Sequence, residues 1–398
     1  MLGTEGGSAL GILTAIVIII IIGLIITGIS RKFKISNILL LILTGLILGS
    51  IFSNYTLFNI STEAILTIAV LTLVLVVFDG ASRFKLKSLD TLSFSALKLS
   101  GIFLTLNLIF ITTITIFLFF DLTLASLFYS LVFAAIISGT DPASVFIMLH
   151  NKSNKVLEFL KIEGIINTPL IVLLPFILLD ILNQLLSQSA ISLEAHLSAI
   201  LTQILVGIGA GIVVGLIFFK GMKKFSEQTS GLSLICSALL AFILAENLGG
   251  NGVLAVAVLG FMFGAFYISK KEILQEFNEM LSNSLEILVF IIIGFIIQIN
   301  INLTFILYSL LVFLTLIITR FLSTLMLPNE KYNIKEKIYM TLTMPKGIAV
   351  AVLIVALSLL ENPQIDIINN LLLAIIIYSL LLATIVNKFS EKLINIKV

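Results

Sequence analysis

Long apolar runs separated by short polar breaks fill the chain from end to end, and their length decides which element they form. Gly11 to Ile29 is continuously apolar, without the alternation of a barrel strand. As a helix rising 1.5 Å per residue, such a run crosses about 30 Å of hydrocarbon. The pattern predicts spans at 9–29, 37–52, 64–80, 92–118, 123–149, 157–180, 197–219, 231–247, 251–268, 283–299, 302–326, 336–360 and 367–386. The expected fold is an all-α polytopic membrane protein of about 13 transmembrane helices, one transporter domain over 1–398.

Basic residues test that count independently, because Lys and Arg concentrate in cytoplasmic loops. Numbered from the first, the odd connections hold Arg31, Lys32, Lys34; Arg83, Lys85, Lys87; Lys152, Lys155, Lys161; Lys220, Lys223, Lys224; Lys270, Lys271; and Lys331, Lys335, Lys337. The tail adds Lys388, Lys392 and Lys397, which brings the total to 20 of the 23 basic residues. The even connections hold none. Only an odd number of spans, with the N-terminus outside and the C-terminus cytoplasmic, puts all 20 on one side, in a plasma (cell) membrane.

Composition agrees: 59% of residues are hydrophobic and 11% charged, against roughly 25% charged in soluble domains. The net charge of +2 comes without an aromatic-rich basic domain, so nucleic acid is not an expected partner. The chain contains no HExxH, Walker A or GxSxG pattern, and no enzyme activity or cofactor is expected. Met1 to Ser8 lacks a basic n-region, so the first span reads as retained. Cys236, the single cysteine, reads as a small core residue, and His150 and His196 lie alone near span ends.

Ionisable residues inside the spans carry the chemistry, because a charge in hydrocarbon costs at least a few kcal/mol without a partner. Asp141 lies in Ser138-Gly139-Thr140-Asp141-Pro142-Ala143-Ser144 on span 5, Glu163 and Asn167 on span 6, Arg320 on span 11, and Lys346 in Pro345-Lys346-Gly347 on span 12. Counted from the cytoplasmic ends, Asp141, Asn167, Arg320 and Lys346 fall roughly 10 to 15 Å deep, so they converge on one layer near the bilayer middle. Lys98 sits close enough to an end to snorkel. Asp79 and Glu286, near the cytoplasmic ends of spans 3 and 10, and Glu246 and Asp180, near outer ends, read first as interfacially solvated. Gly207, Gly211 and Gly215 form a small-residue stripe suited to close helix packing.

Proline shapes the backbone at the same depth. Gly-Thr-Asp-Pro and Met-Pro-Lys-Gly each remove a helical donor and disrupt a turn, so spans 5 and 12 are expected to be interrupted. Interrupted helices at matching places in two halves point to an ion site of a transporter. The two lie seven spans apart, an odd number, so repeats at about 9–180 and 231–386, joined by a connector helix at about 197–219, would be inverted. A proline kink packed by neighbours is the plainer reading of either break alone.

In order along the chain, Gly139-Thr140-Asp141-Pro142-Ala143, Glu163-Gly164-Ile165-Ile166-Asn167, Ala245-Glu246-Asn247-Leu248-Gly249-Gly250-Asn251-Gly252-Val253-Leu254-Ala255 and Pro345-Lys346-Gly347 resemble the signatures of NhaP-type sodium/proton antiporters. The resemblance spans about residues 12–386, and Thr-Asp-Pro is its most specific part. It implies a thirteen-helix inverted repeat, a homodimer, and exchange of Na⁺ or Li⁺, or else K⁺, for H⁺. It makes Asp141 and the Thr140 backbone ion ligands, with Glu163, Asn167, Arg320 and Lys346 as a supporting polar cluster. The family follows that Asn with an ion-binding Asp, where this chain has Thr168, and usually has Arg where Lys346 stands. Thr168 offers a hydroxyl oxygen to a small cation but does not take up a proton near neutral pH.

With Asp141 as the carrier, proton and monovalent cation compete for one carboxylate. The two loaded states then have equal charge, which predicts electroneutral exchange. Glu163 pairs with Lys346 or Arg320 in this reading. Thr168 motivates an alternative, a transport-deficient relative acting as a membrane sensor or regulatory subunit. A channel is a third possibility, without a filter-like loop to support it.

Overall fold

The computed structural model describes residues 9–33, 35–52, 62–83, 89–141, 154–187, 193–222, 227–265, 271–296, 302–328, 331–360 and 362–394. The apolar runs form helices α1 (Ala9–Phe33), α2 (Asn37–Phe52), α3 (Thr62–Ser82), α4 (Leu89–Phe119), α5 (Leu124–Ile137), α6 (Lys155–Leu186), α7 (Leu193–Met222), α8 (Glu227–Asn247), α9 (Gly252–Ala265), α10 (Lys271–Ile296), α11 (Leu303–Leu325), α12 (Ile334–Leu342), α13 (Ile348–Ser358) and α14 (Pro363–Lys388), followed by the short α15 (Ser390–Ile394). With α12 and α13 taken as halves of one crossing, the order reproduces the thirteen expected spans. Eight of these helices are long and apolar enough by themselves to cross a membrane.

Boundaries differ where the polar face of a helix outruns the apolar one. Span 10, expected at 283–299, is helical from Lys271. Its first three turns are amphipathic and carry Lys271, Glu272, Glu276 and Glu279, so hydropathy alone missed them. Span 6 starts at the Asn154 N-cap, which accepts from the Val156 N–H, and runs to Leu186 through Pro169 and Pro175, packed against neighbouring helices. The second half of span 5, with Pro142, Ala143, Ser144 and His150, lies outside the described residues, as does the end of span 10.

Large apolar side chains cover the outside, among them Phe94, Phe117 and Leu303, each about 70% exposed, as a lipid-facing surface requires. Cys236 is on that outer surface too, not in the core as expected, because its position on α8 faces away from the bundle. Inside, helices approach to backbone contact. A Cβ at Gly45 of α2 would collide with the Ile291 carbonyl of α10, and one at Gly294 of α10 would meet the Ile42 carbonyl of α2. Gly207 and Gly211 of α7 lie against the backbone carbonyls of Asn251, just before α9, and Ala255 of α9, and Gly215 against the Met262 side chain, so that stripe serves packing between neighbours in the bundle.

Two local groups of contacts tie described residues of the basic connections to their neighbours. Arg83 pairs with Asp79 at 2.9 Å and with Glu279 at 2.8 Å, which joins the end of α3 to the start of α10. Burial works against the Arg83 charge, yet the two carboxylates outweigh it and hold its pKa above the ordinary guanidinium value. Lys155 Nζ donates to the Lys331 carbonyl at 2.6 Å and pairs with Glu336 at 3.2 Å, while Asn154 donates to the Ile394 carbonyl at 2.8 Å. The third connection thus joins the start of α10, and the fifth joins the eleventh and the C-terminal segment, all of them segments that the charge alternation assigns to one side. Lys337 departs from the loop pattern: it is buried and donates to the Leu325 and Leu327 carbonyls at the end of α11.

Candidate functional site

Helix α5 stops at Ile137, and Ser138 to Asp141 continue as non-helical chain, while on the opposite element residues 343–347 separate α12 from α13. The two breaks touch. The Asp141 N–H donates to the Pro345 carbonyl at 2.9 Å, and Lys346 Nζ donates to the Gly139 carbonyl. Each break supplies what the other lost, since Pro345 has no N–H and both helix ends leave carbonyls unpaired. The Lys346 N–H is held by Ser379 Oγ of α14 at 3.2 Å.

The Asp141 carboxylate lies directly against Gly347, the N-cap residue of α13, so closely that a Cβ at position 347 would collide with it. Glycine is the residue that allows this approach. The carboxylate thereby sits at the amino end of a buried half-helix, where the helix dipole favours negative charge. Asp141 is 6% exposed and Thr140 5%.

Asn167 of α6 donates to the Ser138 carbonyl at 2.8 Å and so ties α6 to the break. Its Oδ1 and the Thr140 hydroxyl are buried without a hydrogen-bond partner among the described residues. Both are oxygen acceptors suited to a hard cation beside a carboxylate. Thr168 is buried one residue on, and its hydroxyl donates back to the Gly164 carbonyl at 2.7 Å. That bond spends the hydroxyl proton within the helix and leaves oxygen lone pairs.

Glu163 and Arg320 form a two-pronged ion pair, Nη1 to Oε1 at 2.5 Å and Nη2 to Oε2 at 2.6 Å, with both side chains fully buried. Of the two partners weighed for Glu163 from sequence, the geometry selects Arg320, whose planar fork matches a carboxylate. Phe103 of α4 packs beneath both cations, 4.9 Å from the Arg320 guanidinium carbon and 5.6 Å from Lys346 Nζ.

Several members of this cluster escaped the sequence reading. Thr319 donates to Asn107 Oδ1 at 2.6 Å, and Asn107 Nδ2 donates to Ser138 Oγ at 3.0 Å, which links α11 through α4 to the α5 break. Asn107, alone in an otherwise apolar run, was the available signal. Glu286, expected at the interface, is instead 4% exposed, because α10 begins well before the apolar run and carries this residue into the bundle. Asp180 and Glu246 are exposed, as expected of helix ends. Glu246 also accepts from the Gly252 N–H at 2.7 Å in the α8–α9 turn, where Gly249 has a φ of 76°. The 245–255 motif is thus a turn rather than a part of the polar cluster.

Solved structures share this architecture. The sodium proton antiporter MjNhaP1 from Methanocaldococcus jannaschii, in a structure at pH 8, superposes with a TM-score of 0.76 at 21% identity, covering 96% of this chain and 97% of that one. An electron-microscopy map of the same antiporter gives a TM-score of 0.76 at 22% identity, covering 96% of each. At that level of identity, shared fold is what the superposition establishes. A family model for the transmembrane sodium/hydrogen exchanger matches residues 15–391, and so the chain belongs to the sodium/hydrogen exchanger family.

Proposed function

We propose that this protein exchanges a monovalent cation, Na⁺ or Li⁺ or alternatively K⁺, for H⁺ by alternating access, with Asp141 as the shared carrier. The observation that carries the reading is the Asp141 carboxylate where the end of α5 meets the α12–α13 interruption, against Gly347 and near the Thr140 and Asn167 oxygens that have no hydrogen-bond partner among the described residues. A carboxyl group there binds a proton or a small cation, and losing one makes room for the other. One carboxylate gives loaded states of equal charge, hence electroneutral exchange. Thr140, Asn167 and Thr168 contribute neutral oxygens. Glu163, Arg320 and Lys346 hold the two breaks in register without joining the exchange.

The charge alternation supports a plasma-membrane protein with its N-terminus outside and C-terminus cytoplasmic. The sequence resemblance supports a homodimer, and repeats at about 9–180 and 231–386 flanking a connector at about 197–219.

Proteoliposomes test the reading. Imposed Na⁺, Li⁺ or K⁺ gradients should move protons without generating current, and Asp141→Asn should abolish the flux. Current carried under voltage clamp would remove the one-carboxylate scheme, and unchanged flux in Asp141→Asn would remove the site. Thr168 favours a second reading, a regulator that no longer transports. That reading predicts no cation-driven proton movement at any pH, and measurable flux in Thr168→Asp if the missing carboxylate is the limiting part.

A further inference from the structure

Glu286 is a buried carboxyl group that the exchange scheme leaves without a role. Among the described residues it makes no hydrogen bond or ion pair, although it is only 4% exposed. Arg83, at the end of the neighbouring α3, is engaged by Asp79 and Glu279. A carboxyl group buried without a counter-charge is most cheaply held as the neutral acid. Such a group is a proton store.

A buried polar line leads to it. Asn278, Ser282 and Glu286 recur at intervals of four on α10 and are 1%, 4% and 4% exposed, so they share one inward face. Gln275, three residues before Asn278, donates to the Ser82 carbonyl at 3.0 Å. Asn278 donates to the Leu75 carbonyl at 3.1 Å, one helical turn before Asp79 on α3. The seam between α3 and α10 is therefore polar from the basic end of the bundle inward. Asn278 Oδ1, fully buried, has no hydrogen-bond partner among the described residues and remains an open acceptor along the line. Asn278 to Glu286 covers about 12 Å at 1.5 Å per residue. Beyond Glu286, α10 packs against α13, whose N-cap Gly347 meets the Asp141 carboxylate.

Resting on the exchange reading above, we propose that Glu286 is a proton relay, which passes protons between the basic face of the bundle and Asp141 along the α3–α10 seam. In the loading step, the Glu286 acid transfers its proton to the Asp141 carboxylate as the cation departs. The Glu286 carboxylate is then reprotonated from the Asp79 end. No charge is added to the net exchange, because Glu286 returns to its starting state. The groups able to perturb it are few. Of the helices packed against α10, α3 carries Glu63 and Asp79, α2 and α13 carry no charged residue although Asp141 meets the α13 N-cap, α1 carries Arg31 and Lys32 exposed in its last turn, and α8 carries charge only at Glu227 and Glu246 near its ends.

Reconstituted full-length protein tests this with Glu286→Gln and Glu286→Asp. The relay requires that Glu286→Gln lower turnover at least tenfold with the cation KM within twofold of the parent, that the deficit widen as pH rises and protons become scarce, and that Glu286→Asp restore much of the rate. Infrared spectroscopy of the unenergised protein should show a buried carboxylic-acid C=O band that Glu286→Gln removes, a readout independent of transport. A parent-like rate and pH profile in Glu286→Gln would overturn the relay. So would a uniform loss at every pH with altered cation KM, or absence of the band. If the parent protein itself drives no cation-dependent proton flux, it is the exchange reading that fails.

Discussion

Gly347→Ala should stop transport while leaving the bundle folded, because position 347 is where the Asp141 carboxylate meets the start of α13. An added Cβ would stand 2.7 Å from Asp141 Oδ1 and closer still to the rest of the carboxyl group, where ordinary contact begins at 3.4 Å. Relief requires the carboxylate or the break to move by about 0.7 Å at the least contact and by roughly 1 Å at the worst. A displacement of that size at a reacting group costs about 10²-fold in rate, or about 2.7 kcal/mol of barrier. The strain falls on Asp141 and on the short segment around Pro345, so thermal unfolding in detergent should shift little. Gly101→Ala is the matched control, since nothing lies within 4 Å of a Cβ there. Cation-driven proton flux in proteoliposomes, normalised to protein inserted, is the assay. Gly347→Ala transporting at more than about half the parent rate would refute the claim that this contact defines the ion site.

The Glu163–Arg320 pair makes a stability prediction: Glu163→Gln strands a fully buried guanidinium and should destabilise the protein by about 3–5 kcal/mol, whereas Glu163→Leu with Arg320→Met should recover most of that loss. Chemical unfolding in detergent measures both, and equal losses in the two variants would show that the pair is not held as described. Orientation is checked with an impermeant thiol reagent on a Cys236→Ser background. Lys331→Cys should label only from the cytoplasmic side and Asp366→Cys only from outside, both positions being exposed, and the reverse pattern would invert the topology.

Spans were legible in the sequence because hydrocarbon imposes a one-dimensional rule: a helix must be apolar for the membrane's thickness, and basic residues must stay on one side. That rule located Asp141, Asn167, Arg320 and Lys346 at one depth, and the prolines marked both breaks. The same rule misplaced Glu286 and Cys236. Depth along a helix is written in residue number, but the direction a side chain faces depends on which helix packs beside it. Only the tertiary structure decided that Glu163 takes Arg320 rather than Lys346, and that Lys346 serves the Gly139 carbonyl. Asn107, Phe103, Ser138 and Ser379 likewise joined the cluster through helices far apart in sequence. Above all, the contact of Asp141 with Gly347 couples residues about two hundred positions apart, between the end of α5 and the interruption that separates α12 from α13, and the physical reason is steric: the absence of a side chain at Gly347 leaves room for the carboxylate.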